Sequence, residues 1–346
     1  MPHIESPWIE TPLVESTVLS KIAGCRIFLK LENLQPSGSF KSRGIGNSVL
    51  KSVRDQESTP SDDRPLHFYS SSAGNAGMAC VTAATSLGHA SSVVVPLSTD
   101  EATITKLRAA GASEVIPHGE SWFFADQFLR ETVIPAAEAR GEKGIYIHPF
   151  DNPAVWEGAS TMVEEIQRQM PGGDKPDAIV CSVGGGGLFS GIMIGLDRAA
   201  WDKDVKVLAV ETKGADSLAQ SLEKKELVTL PAITSVAASL GAIRVAKNAF
   251  EQAQRPNVRS VVLEDAEACA ACWRFLDDER ILVEPACGVS IALAYDGRLK
   301  KYLKDLGPES KVVLVVCGGS KISLELLNKY KEKYQVRSEE LANVYA

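Results

Sequence analysis

The chain has 346 residues, of which 45% are hydrophobic and 23% charged, and its formal net charge is -7. No dense Lys/Arg cluster is present to bind a phosphate backbone, which argues against nucleic acid as a partner. No apolar run approaches the ~20 residues that span a bilayer, which argues against a membrane protein, and residues 1–13 resemble neither a signal nor a transit peptide. The seven scattered cysteines argue against a disulfide framework. Together these features predict a cytoplasmic protein in a reducing compartment.

Helices and short apolar strands alternate along the first half of the chain. A helix begins near Lys41, and a polar segment at 55–65 predicts an exposed loop. Strands are predicted at 66–70, 91–97, 113–118 and 144–150, with helices between them at 75–88, 100–112 and 125–141. Val/Ile-rich strands separated by helices are typical of a parallel sheet covered on both faces.

The alternation restarts after Pro153. Strands are predicted at 177–183, 205–211, 259–264 and 311–317, with a helix at 188–201. The sequence therefore predicts two α/β domains: a large one from residues 1–40 and 151–330, and a small one from 41–150, with a C-terminal extension at 331–346. Cys269 and Cys272 form a C-x-x-C in an alanine-rich helical stretch, where buried small residues are a better interpretation than a metal or redox site.

Four unusual segments lie where such folds bind ligands, at the ends of strands. "SVGGGGLFSG" (182–191) follows a buried-type strand and opens a helix, so its bare N–H groups suit a phosphate. The G-x-G-x-x-G and G-K-[ST] patterns both fail here, which disfavours a nucleotide. A tight packing turn is the alternative.

The other three segments are ambiguous when each is taken alone. In "SSSAGNAG" (70–77), Ser72 and Asn75 could bind a carboxylate, but ordinary helix capping is the simpler interpretation. In "VVCGGSKIS", Cys317 ends the last strand, and a thiol that fills a small gap is the simpler interpretation. In "PSGSFKSRG" (36–44), Lys41 could be a solvated surface charge.

Taken in order, these motifs together with "PFDNPAVWEG" and "ILVEPACG" resemble the fold-type II pyridoxal-phosphate enzymes, and within them the liver-type L-serine dehydratases (L-serine/L-threonine ammonia-lyases). The resemblance covers roughly residues 8–330. It implies an α/β fold of two open, twisted, mainly parallel domains with the active site between them. Family members are usually homodimers.

The resemblance also implies a role for each motif residue toward pyridoxal phosphate. Lys41 would form a Schiff base with the cofactor aldehyde, Cys317 would face the pyridine nitrogen, and Asn75 would bind the ring hydroxyl. Phe40 and Ser239 would lie on the two faces of the ring; a small apolar residue is usual at the second position, so Ser239 departs from the pattern, as does Lys321 after "CGGS". The phosphate would be held by backbone N–H groups of Gly184, Gly185, Gly186, Gly187 and Leu188.

The implied substrate is a small amino acid. Its carboxylate would be bound by the loop that contains Ser72, Ala73, Asn75 and Ala76. Lys41 would remove the Cα proton, and loss of water would lead to pyruvate and ammonia from serine, or 2-oxobutanoate from threonine. Serine racemases carry a serine where Ala73 stands, so racemisation is disfavoured. A β-replacement enzyme and a catalytically idle binding protein remain as alternatives.

A monovalent cation, commonly potassium, is held near the phosphate loop in this family. The matching positions here are Gly185, Glu211, Ala215 and Leu240, in or near the glycine loop and the segments "VETKGADS" and "AASLGAI".

Overall fold

The structure is a computed structural model in which residues 5–59 and 61–334 are described. Within them the strands, β1 to β10 in chain order, are Leu13–Ser16, Arg26–Lys30, Leu66–Ser70, Ala90–Val95, Glu114–Pro117, Lys143–Tyr146, Ala178–Ser182, Lys206–Thr212, Val258–Leu263 and Lys311–Val315. The helices, α1 to α14, are Thr17–Ala23, Lys41–Glu57, Asn75–Ser86, Glu101–Ala109, Trp122–Phe128, Ile134–Ala139, Pro153–Gln169, Gly187–Arg198, Ser217–Lys224, Lys247–Ala253, Asp265–Glu279, Pro285–Ile291, Arg298–Tyr302 and Leu324–Lys333.

The described residues divide into two compact units. The small unit comprises residues 5–9 and 35–159, and the large unit comprises residues 10–34 and 160–334. The functions assigned to the predicted domains, with their boundaries, stay a prediction. Of the predicted extension at 331–346, residues 331–333 end α14, and those beyond 334 lie outside the described residues.

The small unit contains a four-stranded parallel sheet in the order β5-β4-β3-β6. Strand β4 is apolar along its length and buried apart from its first residue, as expected for a parallel strand covered on both faces. Because β3 and β6 are parallel neighbours, the segments that follow them, 71–75 and 147–151, lie at the same edge of this sheet. The predicted strands at 66–70, 91–97 and 113–118 are confirmed, with small shifts at their ends.

Two predictions for this unit need correction. The predicted strand at 144–150 ends at Tyr146, because the His148 Nδ1 accepts hydrogen bonds from the N–H groups of Phe150 and Asp151 and so forms a turn. The helix predicted at 125–141 begins at Trp122 and is interrupted by a π-helical turn at Leu129–Val133. Pro135 follows this turn, and its missing N–H removes a regular helical hydrogen bond.

The large unit contains a six-stranded sheet in the order β1-β2-β10-β7-β8-β9, parallel except for the edge strand β1. The β1–β2 hairpin comes from the N-terminal segment, for which no strand is predicted, since "LVES" carries little apolar pattern. The strands predicted in this half are confirmed. Cys269 and Cys272 are buried in α11, where burial raises the pKa of both thiols, in agreement with the interpretation as buried small residues.

Within the described residues, none of the helices is both long and apolar enough to cross a bilayer.

Candidate active site

Lys41 is the first residue of α2, and its amine is fixed within the small unit. The Lys41 Nζ donates a hydrogen bond to the carbonyl oxygen of Pro149 at 2.6 Å, and it lies 5.3 Å from the centre of the Phe40 ring. Pro149 lies just beyond β6, so the amine is held at the carboxyl edge of the sheet. A solvated surface lysine has no such anchor, and the structure therefore favours a functional amine.

Two glycines let α2 approach its neighbour closely. A Cβ atom on Gly44 would lie 2.6 Å from the Val155 carbonyl oxygen, and one on Gly158 would lie 2.3 Å from the Arg43 carbonyl oxygen. Both distances are far below van der Waals contact, so side chains at these positions would push the start of α2 away. The glycine of "SFKSRG" therefore serves to place the helix that carries Lys41.

The loop between β3 and α3 has the form of an anion-binding turn. The helix begins at Asn75, and no side chain caps its N-terminus. The Ser72 Oγ instead accepts a hydrogen bond from the Gly74 N–H at 3.2 Å, which shapes the loop itself. A Cβ on Gly77 would lie 1.9 Å from the Ser72 carbonyl oxygen, so the last glycine of the motif is required by close packing. The simple capping interpretation of Ser72 and Asn75 is wrong for this loop.

The exposure of these loop residues differs. Ser72 and Ala73 are half-buried, whereas Asn75 and Ala76 are buried at the start of α3. The two half-buried positions are the ones from which a small ligand could reach the loop.

His148 is a neighbour of Lys41 that was missed in the sequence. The Lys41 charge and, to a larger extent, burial lower the pKa of His148, while Asp151 and Asp126 oppose this. Because its Nδ1 accepts from two backbone N–H groups, the neutral ring carries its proton on Nε2. The available signal was its position at the end of a predicted strand, but that strand was predicted to continue through it.

The glycine loop lies in the large unit, between β7 and α8. The N-terminus of α8 has no side-chain cap, and Gly186 adopts the left-handed conformation with φ of 93°. A Cβ on Gly186 would lie 2.4 Å from the Ala249 Cβ, and one on Gly184 would lie 2.8 Å from the Leu240 Cα. The loop is therefore packed against the segment that contains Ser239 and Leu240, while its uncapped N–H groups form the kind of helix terminus that binds anions.

Cys317 lies at the carboxyl edge of the same sheet, just beyond β10, and is 5% exposed. Its Sγ is 3.3 Å from the Oγ of Ser182, the last residue of the neighbouring strand β7. Hydrogen bonds donated by the Cys287 thiol and by Ser182 lower the pKa of the Cys317 thiol, although burial acts in the opposite direction. A thiol that only fills a gap would not need these two donors, which sequence patterns did not reveal.

Glu211 is fully buried near the end of β8, the other neighbour of β7. Its two carboxylate oxygens accept hydrogen bonds from the N–H groups of Leu218 and Ala219 at 2.9 and 2.8 Å. Burial raises the pKa of Glu211 to about 8, because the apolar surroundings penalise its charged form. The Ser217 Oγ, also buried, has no hydrogen-bond partner among the described residues. Ser217 is a polar group that the sequence did not single out.

The positions predicted from the family pattern are thus divided between the two units. In the small unit the structure brings Lys41 and Phe40 to the same sheet edge as the Ser72–Asn75 loop. In the large unit it brings the glycine loop, Cys317 and Glu211 to the ends of three adjacent parallel strands. Ser239 and Lys321 are both exposed.

Comparisons with known proteins agree with this arrangement. A family model described as pyridoxal-phosphate dependent enzyme matches residues 4–318. The chain is 42% identical over 335 residues to the L-serine dehydratase of Saccharomyces cerevisiae (strain RM11-1a), covering 95% of this chain and 97% of the relative. It is 44% identical over 330 residues to the L-serine dehydratase/L-threonine deaminase of Bos taurus, covering 94% and 95%. A crystal structure of an L-serine ammonia-lyase from Rhizomucor miehei superposes with a TM-score of 0.86 at 36% identity, covering 95% of this chain and all of that one.

Proposed function

Because the chain belongs to the pyridoxal-phosphate dependent enzyme family, we propose that it is an L-serine dehydratase that also accepts L-threonine. It releases water and ammonia from serine to give pyruvate, and from threonine to give 2-oxobutanoate. The observation that carries this proposal is the anchored Lys41 amine, in a chain that is 42–44% identical to curated L-serine dehydratases.

The uncapped N-terminus of α8 and the left-handed Gly186 are features that suit the cofactor phosphate. Backbone N–H groups of residues 184–188 would hold that phosphate, Asn75 would bind the ring hydroxyl, and Lys41 would hold the group covalently. Cys317 would face the ring nitrogen; since a thiol is a weak acid, it does not require a protonated ring. When bound, pyridoxal phosphate supplies an aldehyde for the substrate amine and a conjugated ring that accepts charge from Cα.

The chain's own groups position and deprotonate the substrate. The α3 N-terminus would bind the carboxylate through backbone N–H groups at Ser72, Ala73 and their neighbours. Lys41, once released, would take the proton from Cα; it is the residue of the family motif that carries a basic amine. Ala73 has no hydroxyl to return a proton to the opposite face of Cα, which favours elimination over racemisation.

The experiment that tests the function is product analysis from a small amino-acid panel. We expect pyruvate from L-serine and 2-oxobutanoate from L-threonine when the purified protein is supplied with pyridoxal phosphate. A β-replacement enzyme is the second candidate, and a thioether formed on addition of a thiol would identify it. A protein that gains no visible absorbance with pyridoxal phosphate and forms no product would contradict both.

A potassium site is a further part of the proposal. It would include Glu211, the Ser217 hydroxyl and carbonyl groups of Gly185, Ala215 and Leu240. Supporting it are the buried carboxylate and the buried hydroxyl, because a cation would offset the cost of burying the charge on Glu211.

We expect potassium to stabilise the protein against heat. At a potassium concentration tenfold above its Kd, the gain is about 1.4 kcal/mol, or a rise in Tm of roughly 2 °C or more, relative to choline at equal ionic strength. Glu211→Gln should abolish this difference, because the amide lacks the charge. Glu223→Gln, at an exposed position on the same helix α9, should keep it. Equal potassium effects in both variants would refute the site.

A homodimer and a cytoplasmic location complete the proposal. The dimer follows from the family resemblance. The location is supported by the seven cysteines, all of which are buried and free.

A further inference from the structure

A buried carboxylate lies beneath the Ser72–Asn75 loop of the small unit. Asp126, on α5, is 5% exposed and accepts three hydrogen bonds from three different segments. Its Oδ1 accepts from the Ser71 Oγ at 2.7 Å and from the Tyr146 hydroxyl at 2.6 Å. Its Oδ2 accepts from the Arg130 Nε at 2.8 Å.

The first of these bonds holds the carboxylate-binding loop. Ser71 is fully buried and directly precedes Ser72, whose Oγ shapes the turn by accepting from Gly74. Since the Ser71 side chain is anchored to α5, the start of the loop is tied to a helix that is remote in sequence. The position of the N–H groups offered to a substrate carboxylate therefore depends on Asp126.

The second bond reaches the turn that anchors Lys41. Tyr146 is the last residue of β6, and its ring packs edge-to-face against His148, with 6.0 Å between the ring centres. Pro149, the next residue, accepts the hydrogen bond from Lys41. The same oxygen of Asp126 is thus linked both to the substrate loop and to the strand that leads to the Lys41 anchor.

We propose that Asp126 is a positioning residue that aligns the carboxylate-binding loop, through Ser71, with the turn that holds Lys41, through Tyr146. The proposal rests on the proposed function for the identity of the substrate. A hydrogen bond to an ionised group loses more on removal than one between neutral groups, and the two hydroxyl donors are largely out of water. Loss of the carboxylate should therefore displace both segments.

Three variants separate the two links. Ser71→Ala removes the link to the loop, and we expect KM for L-serine to rise about tenfold with kcat changed less than about threefold. Tyr146→Phe removes the link to the Lys41 turn, and we expect kcat to fall about tenfold with a smaller change in KM. Asp126→Asn should show both changes, because its amide N–H₂ would face the Arg130 guanidinium, which has no acceptor. Glu131→Gln, an exposed position in the π-helical turn, is the matched control.

A second readout needs neither cofactor nor turnover. Hydrogen exchange of the protein without added cofactor should accelerate at residues 72–75 and 147–151 in Asp126→Asn, and stay unchanged in Glu131→Gln. If wild-type protein forms no keto acid, the proposed function fails, while the exchange result still decides the role of Asp126. Equal exchange in the two variants, or the same change in KM and kcat for Ser71→Ala and Tyr146→Phe, would overturn the proposal.

Discussion

Lys41→Ala is expected to reduce the formation of pyruvate from L-serine by at least about a thousandfold. The substitution removes both the covalent link to the cofactor and the base for the Cα proton, and general base catalysis alone contributes about 10²- to 10⁴-fold. The fold should survive, because alanine is favourable in a helix and the lost side-chain contact is the hydrogen bond to the Pro149 carbonyl. Turnover and the thermal unfolding of the apoprotein would measure the two effects separately.

Borohydride reduction followed by peptide mass spectrometry checks the covalent role directly. Wild-type protein treated with pyridoxal phosphate should carry the reduced cofactor on Lys41, and the variant should carry none in the peptide that contains position 41. Lys51→Ala is the matched control, since Lys51 lies on the same helix and pairs with Asp55 at an exposed position. Cofactor attached at another lysine in active protein would show that the assignment of Lys41 is wrong.

Gly185→Asp is expected to weaken the binding of pyridoxal phosphate by at least about a hundredfold. An aspartate just before α8 would offer its own carboxylate to the uncapped N–H groups of that helix and would repel the phosphate. Each charge-assisted hydrogen bond contributes about 1.5–3 kcal/mol, so the loss of two bonds corresponds to this change in Kd. The helix itself gains a cap, so folding should be preserved.

Pyridoxal, which lacks the phosphate, is the ligand that makes this test specific. Its affinity should change little in Gly185→Asp, and Gly185→Ser should affect both ligands less because it adds no charge. Equal losses for pyridoxal and pyridoxal phosphate would mean that the loop is a packing turn. Gly186 is a poor site for this test: its left-handed φ and the nearby Ala249 mean that any side chain there disturbs folding first. The sequence suggested a clash with phosphate as one cause, and the clash that the structure describes is with Ala249.

Local patterns were sufficient to predict the strands, the start of α2 at Lys41 and the helix that follows the glycine loop. Buried parallel strands are short apolar runs, helices begin and end at capping and glycine signals, and both kinds of pattern are contained within a few neighbouring residues. The π-helical turn before Pro135 and the early end of β6 were missed, because competing local signals pointed to regular structure there.

The contacts that surround the candidate site residues could be found only in the folded chain. Ser71 and Asp126 are 55 positions apart, and Ser182 and Cys317 are 135 positions apart. Hydrophobic periodicity tells which face of an element is buried, but it does not tell which polar side chains meet when remote elements pack. Strand order decides that Ser182 lies beside Cys317, and helix packing decides that Asp126 lies beneath Ser71, so these partners depend on the tertiary structure alone.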